Sequence, residues 1–403
     1  PGCRTHQNGP LTASRTEREG HYSLLERGMR DARGGWVMDG SRRSILKTVG
    51  AGLALSGLGA TRVRAAQRPI GYAIVGLGSY ATRQIMPNFA GCDHARLVAL
   101  VSGTPEKLQR YGEQYNIPAT HRYSYADYDR IRNNPDIDVV YVVLPNSMHA
   151  EYSIRAAQAG KHVMCEKPMA ISVAECQAMI GASRKAGKLL MIGYRSRFEP
   201  YNRLAIDLAR RGHVGPTRII TSEHGFPIKP NQWRLDRPLS GGGSLMDIGI
   251  YSLNATRYLS GEEPVSVSAI EATDRSDPRF RTVEDRISFL LRFPSGIEAT
   301  CVSSYSSAHN AYRVVGTQGW IDMEPATPYE GHAMRIRKDG VVSPRVLPAP
   351  SKNQFAGQLD HLAECIMNGT TPIVPGEEGL ADLRVIEAIY RSAAEGRTIA
   401  MTA

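Results

Sequence analysis

The chain lacks paired cysteines: Cys3, Cys92, Cys165, Cys176, Cys301 and Cys365 are scattered over 403 residues, and no two form a C-x-x-C. That spacing argues against a disulfide framework and against a zinc site, so mostly buried thiols and no metal are expected. Long apolar runs are also missing. The stretch Val49 to Ala60 has twelve residues, short of the roughly 20 that span a bilayer as a helix. No stable membrane insertion is expected. Beyond residue 66 no basic run interleaves with aromatics. The net charge of +10 would suit a nucleic-acid partner, but residues 1–66 carry eleven Arg/Lys against five Asp/Glu and so hold six of those ten charges. A footprint on phosphates needs clustered cations, so no nucleic acid is expected. What remains is an ordinary globular balance, 42% hydrophobic and 22% charged, with length for two domains.

Ser41-Arg42-Arg43-Ser44-Ile45-Leu46-Lys47 precedes the short apolar stretch, and Val63-Arg64-Ala65 follows it as a V-x-A cleavage site. Cationic, then apolar, then small is the order of a cleavable export signal. The arginine pair resembles a twin-arginine signal. The expectation is an export signal over 38–66, recognition by the twin-arginine export machinery, and a periplasmic mature protein. Residues 1–37 are polar and without periodicity, and are expected to be a disordered leader or to precede the true start at Met38.

Ile70 to Val75 is a short apolar run that ends in Gly76-Leu77-Gly78-Ser79-Tyr80-Ala81, and a helical stretch is expected over Thr82 to Phe89. Strand, glycine turn and helix is the context that gives a G-x-G-x-x-A motif its meaning. Gly76 allows the tight turn, Gly78 lets a pyrophosphate approach the backbone, and Ala81 lets the helix pack closely. The helix N-terminus offers its free N–H groups to the phosphates. The second strand, Leu97 to Val101, has no acid at its end, where NAD-binding chains place one for the ribose 2′-OH. Ser102-Gly103-Thr104-Pro105-Glu106-Lys107 stands there instead. A hydroxyl and a lysine suit a 2′-phosphate, so NADP is the expected cofactor; the plain alternative is that Lys107 is only a solvated helix residue. Asp138 to Leu144 reads as a central parallel strand, closed by Pro145-Asn146-Ser147-Met148-His149. His162-Val163-Met164-Cys165 reads as another, ending in Glu166-Lys167-Pro168. Ligands bind at the carboxyl ends of such strands, where Lys167 sits.

Glu166-Lys167-Pro168 after a G-x-G-x-x-A unit resembles the Gfo/Idh/MocA oxidoreductase family. Met191-Ile192-Gly193-Tyr194-Arg195, Gln232-Trp233-Arg234-Leu235, Asn353-Gln354-Phe355 and the string from Gly241-Gly242-Gly243 to Asp247-Ile248-Gly249-Ile250-Tyr251 are similar to its glucose–fructose oxidoreductase branch. The resemblance runs from about Ile70 to about residue 398. It implies an α/β fold: an N-terminal Rossmann doubly wound parallel sheet over 67–190, and a C-terminal α+β domain with a large mostly antiparallel sheet over 191–403, for substrate binding and dimerisation. Local patterns agree. Thr217 to His224, Pro264 to Glu271, Asp285 to Phe293 and Ile297 to Ser304 read as strands, and Phe355 to Met367 and Gly379 to Ala394 as closing helices.

If Leu245 onward is helical, Asp247 and Tyr251 share a face one turn apart, with Gly241 to Gly243 as a flexible approach. The resemblance assigns Tyr251 as general acid/base, Lys167 as its cationic partner and Asp247 as an aid to substrate orientation. An ammonium beside a phenol favours the phenolate, which is what proton removal from a sugar hydroxyl requires. The resemblance also carries over cofactor contacts. Gly76, Leu77, Gly78, Ser79 and Tyr80 lie on the turn; Ser102, Gly103, Lys107 and Tyr125 surround the adenosine phosphate. Leu144, Pro145, Asn146 and His149 line the middle, although His149 equally suits a helix cap. Glu166, Lys167, Arg195, Trp233, Arg234 and Tyr329 lie toward the nicotinamide. The branch has a long arm between signal and first strand; here about four residues separate the cleavage site from Ile70. Three readings stay open. One is a sugar oxidoreductase that passes hydride from an aldose C1 to a second carbonyl sugar through retained NADP. The second is a sugar dehydrogenase or reductase with exchangeable NADP, and the third a non-catalytic dinucleotide-binding sensor. A homo-oligomer, dimer or tetramer, is expected in the first two.

Overall fold

The computed structural model describes residues 68–401, so the leader and the export signal expected at 1–66 lie outside the described residues. Six short apolar runs form strands β1 (Ile70–Val75), β2 (Ala95–Val101), β3 (Arg122–Tyr123), β4 (Val139–Val142), β5 (His162–Cys165) and β6 (Leu190–Ile192). They pair in the order β3-β2-β1-β4-β5-β6, parallel throughout. Every residue of β1 and β4 is buried, as happens when crossover helices cover both faces of a parallel sheet. Helices α1 (Pro105–Gln114), α2 (His149–Gln158) and α3 (Val173–Lys185) supply crossovers. The strand order reverses between β1 and β4, which opens a crevice at their carboxyl ends.

Gly76 ends β1 with φ at 96°, and a Cβ there would lie 2.3 Å from the Val143 carbonyl oxygen. Only glycine fits that turn. The helical stretch expected at Thr82 to Phe89 forms, but not as a regular α-helix. The chain winds as a π turn over Ala81–Ile85 and then as a 3-10 run over Met86–Gly91, because Pro87 has no N–H to give and its ring blocks a continuing α-helix.

The second sheet has nine strands: β7 (Thr217–Gly225), β8 (Ser266–Ala272), β9 (Arg286–Arg292), β10 (Glu298–Ser304), β11 (His309–Gly316), β12 (Gly319–Met323), β13 (Met334–Lys338), β14 (Val341–Arg345) and β15 (Ile399–Ala400). Their order is β14-β13-β12-β11-β7-β10-β9-β8-β15. Only β7 and β10 run parallel; the other neighbours are antiparallel. β9 alternates exposed and buried residues along its length, the mark of a sheet covered on one face. The remaining helices are α4 (Pro200–Arg210), the single turn α5 (Arg237–Ser240), α6 (Ile250–Ser260), α7 (Gln354–Asn368) and α8 (Gly376–Glu395).

Helix α7 follows β14 of the second sheet in sequence but packs on the first sheet. Phe355, Leu359 and Leu362 share a core with Tyr72, Ile74 and Leu100. The Tyr72 hydroxyl donates to the Leu359 carbonyl at 2.7 Å, and the Asp360 carboxylate accepts the backbone N–H groups of Asp93, His94 and Ala95 just before β2. The five described cysteines are free thiols, four of them buried. Among the described residues no helix is long and apolar enough to cross a membrane, and no group of His, Cys, Asp and Glu is arranged to hold a metal.

Asp382 on α8 ties the elements behind the crevice. It is fully buried, and it accepts from the Tyr194 hydroxyl, Asn254 Nδ2 at 2.6 Å and Arg257 Nη1 at 2.7 Å. Asp382→Ala leaves Arg257 short of a buried partner and strands two further donors. A loss of about 3–5 kcal/mol is expected, read as a fall in denaturant midpoint. A loss under about 1 kcal/mol, the scale of a surface pair, contradicts this account.

Candidate active site

Lys167 leaves the carboxyl end of β5, where the crevice opens. Its Nζ donates to the Asp247 carbonyl at 2.5 Å and lies 3.5 Å from Asp247 Oδ1. Asp247 Oδ2 accepts from Arg234 Nε at 3.0 Å and from the Tyr305 hydroxyl at 3.0 Å. Burial by itself would raise the Asp247 pKa. The charges of Arg234 and Lys167 and the hydrogen bonds from Arg234 and Tyr305 outweigh it and hold the carboxyl below its ordinary value. Asp247 is therefore an anion with both oxygens engaged.

Tyr251 stands in the first turn of α6. Lys167 Nζ lies 4.9 Å from its ring centroid and Arg195 Cζ 5.1 Å. The His224 ring stacks on it at 5.8 Å. Burial, then Arg195 and His309, push His224 down to about 3, so this imidazole is neutral at ordinary pH. The ring of Tyr251 thus has two cations and one neutral ring about it.

Two expectations need correcting here. The triple glycine is not a flexible approach: Gly242 and Gly243 are buried. A Cβ on Gly242 would lie 2.0 Å from the Tyr390 hydroxyl, and one on Gly243 2.1 Å from the Glu284 carbonyl oxygen. Close packing demands the glycines. The Glu284 carboxylate accepts from Gly243 N at 2.8 Å and Leu245 N at 2.9 Å, which fixes the helical start. Nor is Leu245 the start of a regular α-helix. Leu245–Gly249 winds as a π turn, and α6 begins at Ile250. Asp247 and Tyr251 are joined through Lys167, which both approach.

The glycine turn faces open space. Gly78 and Ser79 are exposed, and a Cβ on Gly78 would meet nothing within 4 Å. That is the room a pyrophosphate needs beside a helix N-terminus. Lys107 Nζ donates to the Leu77 carbonyl at 3.1 Å, so α1 delivers a cation to the turn. A Cβ on Gly103 would come within 3.0 Å of the Tyr125 ring. Ser102 Oγ, 3.2 Å from Thr104 N, completes this corner. Cation, hydroxyl and aromatic face together fit the phosphorylated adenosine of NADP.

Along the middle, Leu144 and Asn146 are buried and Pro145 half-buried. Asn146 Nδ2 donates to the Ser240 carbonyl at 2.8 Å. His149 is fully buried, with Nδ1 2.8 Å from the Pro168 carbonyl and Nε2 2.9 Å from that of Leu144. It holds the wall of the crevice together from behind. At the far end Tyr141 donates to Glu166 at 2.5 Å, and burial raises the Glu166 pKa. Tyr80 and Tyr329 stand 6.2 Å apart, and Tyr329 meets Phe355 at 5.5 Å. Arg195, 4% exposed, donates to the Thr327 carbonyl, the Pro328 carbonyl and Gln354 Oε1. It thereby holds the segment that carries Tyr329 across the crevice. Trp233 is half-buried under the Arg234 guanidinium, 4.6 Å from the ring centre.

Sequence reasoning missed Tyr305, His224, Glu284 and Gln354. The first three come from strands, or the edge of one, and no motif surrounds them. Gln354 lay inside a quoted string, without a role.

Known proteins share both domains of this fold. Residues 70–194 match the model of an oxidoreductase family, NAD-binding Rossmann fold, and residues 208–401 that of its C-terminal alpha/beta domain. The chain is 31% identical over 343 residues to a D-xylose 1-dehydrogenase [NADP(+)] of Haloarcula marismortui, covering 83% of this chain and 94% of that protein. The structure is similar to a crystal structure of aldose-aldose oxidoreductase from Caulobacter crescentus complexed with glycerol, with 64% identity and a TM-score of 0.82, over 83% of this chain and all of that one. It is also similar to a 3-ketoreductase from Actinomadura kijaniata in complex with NADP, with 26% identity and a TM-score of 0.70, over 81% and 98% of the two chains.

Lys107→Ala removes the cation at the turn. Since only NADP carries the 2′-phosphate, the substitution is expected to weaken NADP binding at least tenfold more than NAD binding, a difference of about 1.4 kcal/mol. Calorimetry on protein stripped of nucleotide measures both. Equal weakening contradicts the assignment.

Proposed function

The chain belongs to the Gfo/Idh/MocA oxidoreductase family, and from that premise we propose that it oxidises one aldose at C1 and reduces a second aldose with the same molecule of NADP. It is an NADP-dependent oxidoreductase acting on CH–OH groups of sugars. The observation that carries the reading is the convergence of Lys167, Asp247 and Tyr251 at the carboxyl end of β5, with Lys167 and Asp247 in contact across 80 positions of sequence. The choice of an aldose on both sides is supported by the 64% identity to the Caulobacter crescentus enzyme.

NADP, when bound, accepts hydride from the sugar carbon in one half-reaction and returns it to a carbonyl carbon in the other. The glycine turn, Ser102, Gly103, Lys107 and Tyr125 hold its adenosine end. Tyr251 takes the proton of the C1 hydroxyl as the C–H bond breaks, and gives a proton to the carbonyl oxygen of the second sugar. Lys167 and Asp247 fix the position of that sugar oxygen. One residue serves both directions, because the two half-reactions are the same step run opposite ways. Retention of the cofactor is supported by Tyr329, which reaches from the second sheet's side of the crevice to Tyr80 on the glycine turn.

The same proposal extends outward. Outside the cytoplasm no soluble nicotinamide pool exists, so an exported enzyme needs a cycle that regenerates its cofactor in place. The twin-arginine signal at 38–66 and periplasmic residence belong to this reading, with the Rossmann domain over 67–190 and the substrate domain over 191–403. So does a dimer through the open face of the second sheet. Ile219, Ile270 and Leu290 lie on that one face by register and are 46%, 74% and 52% exposed. The competing reading, a dehydrogenase that exchanges NADP with solution, draws on the similarity to the D-xylose 1-dehydrogenase.

An aldose deuterated at C1, mixed with a second aldose and purified protein without added NADP, is expected to yield a polyol that carries the deuterium. No polyol until NADP is supplied moves the protein to the dehydrogenase reading. Tyr251→Phe is expected to keep bound NADP, seen by its absorbance, and to lose about 10²–10⁴-fold in turnover. Turnover within a few-fold of the parent removes Tyr251 from the role.

A further inference from the structure

Three cations surround this site, and one carboxylate pairs with two of them. Lys167 and Arg234 both meet Asp247. Arg195 meets only neutral acceptors: the carbonyls of Thr327 and Pro328, the amide oxygen of Gln354, and the ring faces of Tyr251 and Tyr329. Among the described residues no carboxylate pairs with Arg195, and its buried Nε has no hydrogen-bond partner. A guanidinium 4% exposed and without a counter-ion is costly to keep. The cost is offset where a neighbour becomes anionic during the reaction.

Few neighbours qualify. Glu166 is near; burial raises its pKa while the Tyr141 hydrogen bond and the charges of Lys167 and Arg195 pull it back, but its carboxyl accepts from Tyr141 and makes no ion pair with Arg195. His224 is neutral, and His309, the next imidazole behind it, faces Glu223 at 3.4 Å. Tyr80 and Tyr329 also face Tyr251, and burial pushes both phenols up. Asp247 is taken by Lys167, Arg234 and Tyr305. Tyr251, 5.1 Å from Arg195, is left.

We propose that Arg195, a cation with no ion pair, lets Tyr251 become the phenolate which removes the sugar proton, and that it acts through Tyr251. This rests on the reading of Tyr251 as the base. Lys167, whose charge is shared with Asp247, then mainly places the sugar oxygen. The carbonyls that hold Arg195 belong to the segment bearing Tyr329, so the cation's position depends on that segment.

Gln354→Glu tests the charge without removing the arginine. The substitution is nearly isosteric and sets a carboxylate where the amide oxygen now lies 2.7 Å from Arg195 Nη1, at the loss of the two bonds that Gln354 Nε2 donates to the Pro328 and Tyr329 carbonyls. Sugar oxidation is followed over pH by the fluorescence of reduced bound cofactor. Oxidation needs the unprotonated base, so its rate rises with pH to a plateau. Neutralising the cation is expected to move that rise up by about one pH unit, close to a tenfold loss below it, whatever happens to the plateau. Arg195→Gln is expected to move the rise in the same direction. Arg195→Lys is expected to restore it near its original place, although lysine cannot hold all three acceptors. A rise unmoved in folded, NADP-loaded Gln354→Glu protein overturns the proposal. So does an equal displacement in Arg195→Lys and Arg195→Gln, which would mark a structural role. If Gln354→Glu does not fold, the lysine and glutamine variants decide by that second criterion. Full activity in Tyr251→Phe is a separate outcome: it removes the base itself and the parent reading with it.

Discussion

The Asp247 carboxylate is the point on which the site depends. Lys167 reaches it from the end of a strand in the parallel sheet. Arg234 reaches it from the loop after β7, and Tyr305 from the end of β10, both on the second sheet's side. One buried anion therefore sets the positions of three side chains that the sequence spreads over more than a hundred residues. Taking such an anion out of water is unfavourable unless its partners are in place. The two sheets are held in the geometry that keeps those partners there: α7 returns to pack on β1 and β2, and Asp382 fastens α6 and α8 to the segment after β6.

Much of this was legible in the residues. Ile70 to Ala81 announced strand, turn and phosphate site, since Gly76 is required by backbone geometry that only glycine meets and Gly78 leaves open room beside the turn. Four adjacent strands of the second sheet, β7, β10, β9 and β8, showed through alternation or apolar runs. β11 to β14 did not stand out, because strands that carry charge on the open face, as Met334–Lys338 does, resemble polar loops. Lys167 was visible because the end of a parallel strand is a fixed place for ligand chemistry. Tyr305 and Glu284 were not. Each acts by reaching a backbone or carboxylate distant in sequence, and no local pattern encodes that distance.

The triple glycine shows how a correct signal can carry a wrong cause. Three consecutive glycines suggest freedom, and an active site suggests a moving approach. In the fold Gly242 and Gly243 are pressed against Tyr390 and Glu284, where any side chain would collide. Glu284 then takes the N–H groups of Gly243 and Leu245. Asp247 and Tyr251 follow within a few residues, so their placement comes from a rigid, capped start. A base that serves two opposite half-reactions benefits from that rigidity, because the same oxygen positions have to fit an alcohol and a carbonyl in turn.

The charge pattern bears on the cycle in the same way. In the proposed exchange the proton taken from the first sugar leaves hydride and proton both inside the protein, and the second sugar collects both. A site open to bulk water has no need to keep either. Here the bridge from Tyr329 to Tyr80 spans the crevice, Arg195 holds the Tyr329 segment by its carbonyls, and the same guanidinium lies against Tyr251. One guanidinium thus ties the segment that carries Tyr329 to the ring of Tyr251, so in the proposed cycle the cover of the crevice and the placing of the base depend on the same side chain.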